Sequence, residues 1–181
     1  MTNLSEYAID KLLQHEGKYS NDPNDRGGET YCGITRKNFP SLFLWTLLDQ
    51  GQQEEVLLLH VHKFYESWWF DIGAEQISDD KLAVEYFLAS VNCGKHKAVK
   101  MLQRSLNLLS RDGKDYLMVG EDGIFGNNTH TAMSRLVAKR GDGLLRKMFN
   151  VQLGMHYIGI WDRDPSQRSF IGWFDRLWSE G

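Results

Sequence analysis

Apolar residues recur at helical spacing along most of the chain. Ile9, Leu12 and Leu13 stand three and four positions apart, the interval that lines one face of an α-helix. Asn3 and Glu6 precede them with capping-box spacing, and Gly17 supplies a stop. From 17 to 35 the pattern lapses. GKYSNDPNDRGGETYCGIT holds four glycines and an Asn-Asp-Pro-Asn-Asp run, which predicts an irregular loop or a small hairpin ending near Ile34. Helical spacing returns at about 41–50 and about 52–70, the second rich in aromatics, with Trp68 or Trp69 expected in the core and Trp69 as a weaker candidate for stacking on a sugar. Further helices are predicted from Asp79 to about Val91 and from Lys95 to about Leu108, divided at Asn92-Cys-Gly94. In the second of these Ala98, Leu102 and Leu106 form a core stripe. Residues 110–127 read as loop, with turn chemistry at Asp112-Gly113 and Asp122-Gly123. Asn127 or Asn128 is expected to cap a helix reaching Lys139, and a long helix follows from Leu144. Trp161, Trp173 and Trp178 give the C-terminal stretch more aromatic mass than a disordered end carries.

The expected fold class is therefore mainly α, with a glycine-rich loop or small hairpin after the first helix. A nominal boundary separates lobes 1–78 and 79–181, and the lack of a linker suggests that they pack into one compact unit. With 41% hydrophobic residues among 181 the chain can bury a real core, and three prolines suit long helices. A net charge of −3 gives no basic footprint for nucleic acid. It also argues against bulk-charge attraction to an anionic wall polymer. No apolar stretch reaches membrane-spanning length, and the N-terminus has no secretory-signal pattern. Synthesis in the cytoplasm is the expectation, with any target beyond the membrane reached by a separate route.

Cys32 and Cys93 are expected as reduced thiols, with a bridge between them as the alternative. His60 and His62 point to different faces of a helix, and the acidic run around Asp112–Asp115 fits no calcium loop. No metal and no cofactor is expected.

The residue with chemical content is Glu16. Positions 9, 12, 13 and 16 continue one stripe, so the carboxyl is expected partly out of water, which disfavours its charged form and raises its pKa. A carboxylic acid that keeps its proton near neutral pH suits the acid step of glycosidic cleavage. The alternative is a helix-end residue pointing at solvent. Asp25 follows nine residues later and Thr30 five beyond it, both in a loop that Gly27-Gly28 lets turn sharply. Inverting hydrolysis needs a second group to hold water on the far face of the sugar, with the carboxyls about 6.5–9.5 Å apart. For Asp22, beside Pro23, ordinary turn chemistry is the competing explanation.

The run Glu16-Gly-Lys-Tyr-Ser-Asn-Asp-Pro-Asn-Asp25-Arg-Gly-Gly-Glu-Thr30 resembles the signature of glycosyl hydrolase family 108, an N-acetylmuramidase family that also carries a secretion-activator label. The pattern is Glu-Gly-Gly, six residues, Asp, one residue, Gly-Gly, one residue, Thr. This chain departs from it only at Lys18, which stands for glycine. Gly33-Ile34-Thr35 continues the likeness. The resemblance implies a lysozyme-like fold, with Glu16 as acid and Asp25 and Thr30 holding the attacking water, an order also found in phage-type lysozymes. Over roughly 84–132, Val91-Asn92-Cys93-Gly94, Gln103 and Asp122-Gly-Ile-Phe-Gly126 resemble the predicted peptidoglycan-binding region that follows that motif. Leu88 stands there in place of the usual aspartate.

Tyr19, Asp22, Tyr31 and Asn92 are the candidate substrate contacts, with the two tyrosines placed to stack on sugar faces. The implied partner is the peptidoglycan glycan strand, reached with the help of a holin or another export partner and attacked at the cell wall. Three rivals remain: a non-catalytic peptidoglycan-binding or secretion scaffold, a lytic transglycosylase, and a chitinase-like specificity.

Overall fold

A computed structural model describes residues 3–21, 28–169 and 171–172. The fold is mainly α, and it divides into two compact units, 1–70 and 71–181.

In the first unit, helix α1 (Leu4–His15) starts at Asn3, whose side chain accepts from the Ser5 N–H at 3.4 Å, with Glu6 in the first turn. Ala8, Ile9 and Leu12 face the core, and burying an isoleucine or leucine is worth about 1.5–3 kcal/mol. The helix stops one residue before the stripe does. Glu16 takes extended backbone (φ −88°, ψ 138°) while its N–H still bonds Leu12 O at 3.1 Å. Its direction is thus set by the C-cap and the strands beyond, not by helical periodicity.

Strands β1 (Tyr19–Ser20), β2 (Thr30–Tyr31) and β3 (Ile34–Thr35) form a small antiparallel sheet in that order. Tyr31 pairs with Ile34, leaving Cys32-Gly33 as a two-residue turn. Both have positive φ, 48° and 79°, the signature of a type I′ hairpin turn. Helices α2 (Phe43–Asp49) and α3 (Glu54–Asp71) complete the unit. Leu44, Trp45, Leu57, Val61, Tyr65, Trp68 and Trp69 are buried. Arg36 clips the hairpin to α2. Its guanidinium bonds Glu29 and Asp49 and lies 5.4 Å over the Trp45 ring.

The second unit is built from α4 (Asp80–Cys93), α5 (Lys95–Leu109), α6 (Asn127–Arg140) and α7 (Gly143–Arg163). Ala98, Leu102 and Leu106 are fully buried, and Tyr86 meets Phe149 edge to face at 5.6 Å. Helix α6 has Gly126 as its N-cap, with no side-chain cap bond. Neither Asn127 nor Asn128 caps it, because glycine already supplies the extended residue and Asn127 is helical.

The segment between α5 and α6 has no regular structure, yet it is tightly fastened. Gln103, 1% exposed, gives its side-chain N–H groups to Asp122 Oδ1 (2.8 Å), Ile124 O (3.0 Å) and Thr129 Oγ1 (3.2 Å), and its Oε1 accepts from Gly123 N. Asn107 exchanges two bonds with the Val119 backbone, and the Tyr116 hydroxyl donates to Leu106 O. Gln103→Leu should keep the volume and orphan these partners, costing about 2–3 kcal/mol. Chemical denaturation should show the loss as a lower midpoint.

Among the described residues no helix is long and apolar enough to cross a membrane.

Candidate active site

The Glu16 side chain, half-buried, leaves the end of α1 and comes to rest on the Cys32-Gly33 turn. A Cβ on Gly33 would lie 3.1 Å from both Glu16 Cδ and Oε2, and 3.0 Å from Tyr65 Oη. Contacts that tight are uncommon, so any residue but glycine would make the carboxyl or the hydroxyl give way by a few tenths of an ångström. The turn is held from two sides. The Cys32 N–H donates to Lys18 O at 2.7 Å, and the Tyr65 hydroxyl donates to Cys32 O at 2.8 Å.

Burial and the nearby Glu16 charge push the Tyr65 hydroxyl well above its ordinary pKa, so it stays a donor. Burial likewise raises the Cys32 thiol to about 11. Cys32 is a free, protonated thiol and no nucleophile near neutral pH. Cys93 is also free.

Lys18 has no positive φ, unlike Cys32. Its ammonium reaches Glu54 at the start of α3, 2.5 Å away, and that bond raises its pKa. Lys18 is therefore unstrained, and its charge is matched by Glu54.

Thr30 sits half-buried on β2, where its hydroxyl donates to Gly28 O at 3.1 Å. A threonine that donates there still accepts, the role needed toward a water O–H. Tyr19 is 53% exposed, and its hydroxyl lies 3.3 Å from Glu29 Oε1. Tyr31 differs from expectation. Only 4% of it is exposed, because β2 alternates Thr30 toward one side and Tyr31 into the core. Its ring is packed by protein and offers a sugar no face. Asn92 is exposed on the last turn of α4, in the second unit. Asp22 and Asp25 lie outside the described residues.

Sequence reasoning missed Gly33, Tyr65 and Glu54. Gly33 was in view as part of the likeness, but a lone glycine gives no sign of which side chain needs its space. Tyr65 sits in an aromatic run where every ring has helical spacing, so nothing marks one hydroxyl as special. His60 Nδ1 approaches Val56 O, and His62 faces Asp10. No group of three or more metal-binding side chains occurs among the described residues.

Residues 9–94 match the family model described as glycosyl hydrolase 108, and residues 97–178 match that described as a predicted peptidoglycan domain. The first match runs through α4, across the 70/71 division. The solved structure of SagA from Brucella abortus is similar in fold, with a TM-score of 0.62 at 20% identity, covering 96% of this chain and 88% of that one. No curated protein matches the chain.

Proposed function

We propose, from the matches of residues 9–94 to the glycosyl hydrolase 108 model and of residues 97–178 to the predicted peptidoglycan domain model, an N-acetylmuramidase with Glu16 as its acid. The chain is a peptidoglycan hydrolase. The bond cut is the one from N-acetylmuramic acid to N-acetylglucosamine. Glu16 gives its proton to the glycosidic oxygen as the C–O bond breaks. Asp25, aided by Thr30, takes a proton from a water that attacks the opposite face, so the anomeric centre inverts. One carboxyl donates, the other accepts, and the water oxygen ends on the sugar.

The observation that carries this reading is the Glu16 carboxyl seated on the bare Cα of Gly33, in a turn built to leave it space. The unstrained, Glu54-paired Lys18 weighs against the scaffold alternative, since the one departure from the motif does not disturb its neighbour. Tyr19 offers an open ring for a sugar face, with Asp22 and Asn92 as polar contacts. Synthesis in the cytoplasm, passage of the membrane with a holin or other export partner, and a role in lysis or in secretion complete the proposal.

Product chemistry tests it. Purified wall digested with the full chain should release fragments one water heavier than the parent bond, with new reducing ends on muramic acid. Proton NMR at early times should show the inverted anomer. Anhydro-muramic products in mass spectra would identify a transglycosylase instead, and no released fragments would leave the scaffold.

A further inference from the structure

Cysteine is a poor choice for the first corner of a type I′ turn, where asparagine or glycine normally supplies positive φ. At φ 48° the Cys32 backbone carries a steric cost that glycine would not. The buried end of Tyr65 meets the turn just there. Tyr65 is 1% exposed in the middle of α3, with its ring against Phe64 and Trp68, and its hydroxyl bonds the carbonyl of the strained residue. A phenylalanine would serve the core as well without a polar group to desolvate. The same hydroxyl flanks the point at Gly33 that Glu16 Oε2 flanks from its side, 3.0 and 3.1 Å from one Cβ position.

We propose that Tyr65 is a positioning residue for the acid: its hydroxyl locks the Cys32-Gly33 turn in the left-handed form, and the turn in that form seats the Glu16 carboxyl. This rests on Glu16 being the acid. Tyr65 touches neither sugar nor water in this scheme and acts only through the turn. Without the hydroxyl the strained cysteine has less to hold it, the turn relaxes, and the carboxyl loses its seat while the substrate surface stays intact.

The test uses the full chain and soluble, uncrosslinked glycan fragments, with each variant assayed below its own melting temperature as fixed by circular dichroism. Tyr65→Phe should lower kcat on the order of ten- to a hundredfold, because small displacements of a reacting group are that costly, with KM nearly unchanged. Adding Cys32→Gly, which takes the left-handed form unaided, should restore most of kcat although the hydroxyl is still missing. Full kcat in Tyr65→Phe overturns the proposal, as does a loss carried by KM or one that Cys32→Gly fails to repair. If Tyr65→Phe does not fold, Cys32→Val in the native background replaces it. A β-branched residue at that φ should reproduce the kcat loss, and an unchanged kcat again overturns the idea. A native enzyme no faster than Glu16→Gln would overturn the muramidase reading instead.

Discussion

Glu16→Gln should slow wall hydrolysis by about 10²–10⁴-fold, the usual contribution of a positioned general acid, while the melting temperature moves by no more than about 2 °C. Glutamine has the shape of glutamate, and the seat on Gly33 accepts it without a clash. What it lacks is a proton acidic enough to give to a leaving sugar oxygen. The separation of rate from stability is the informative part. Glu16 is half-buried, and among the described residues its side chain forms no ion pair whose loss would unfold the unit. Turbidity and reducing-end assays on purified wall measure the rate, and calorimetry the stability. Equal clearing by native and variant protein would remove the enzyme reading.

Gly33→Ala should also lower activity, by a route that leaves the acid chemically intact. The new Cβ must find space among Tyr65 Oη, Glu16 Cδ and Glu16 Oε2, all within 3.1 Å. Tyr65 is buried and bonded, so the carboxyl is the part that moves. The carboxyl must give way by a few tenths of an ångström, which should slow the reaction on the order of tenfold because misplacing a reacting group is costly, and the left-handed φ of 79° adds about 1–2 kcal/mol of destabilisation. Gly51→Ala separates the two effects. That glycine has φ 67° and nothing within 4 Å of an added Cβ, so it should show the stability loss with normal rates. If Gly33→Ala merely matched Gly51→Ala in both measurements, the packing of Glu16 on the turn would have no catalytic weight.

Much of the helical layout was legible because buried faces repeat every three to four residues. The stripe of Ala98, Leu102 and Leu106 is core as expected, and Trp68 and Trp69 are both buried where one of them was expected to be. Glu16 stood out for a reason that proved only half right. Spacing placed it on the buried stripe, whereas the helix ends before it and an extended backbone turns it toward Gly33. Periodicity cannot see past a helix end, where direction depends on partners distant in sequence. Tyr31 failed for a similar reason. A two-residue strand is too short for alternation to reveal which of Thr30 and Tyr31 faces inward. The hydroxyl of Tyr65, 33 residues from its partner Cys32, was beyond any local pattern.

The stretch from Ser110 to Gly126 has a practical consequence. Rich in glycine and aspartate, it resembles the kind of surface loop chosen for splicing in an affinity tag or a fluorescent reporter. It packs against its surroundings from both sides: the His96 ring leaves no room for a Cβ at Gly123, and the stretch's own Phe125 ring leaves none at Gly73. Cargo inserted between those anchors would pry rings and amides off their partners. The stretch is wedged into the helices that flank it, and engineers should graft elsewhere.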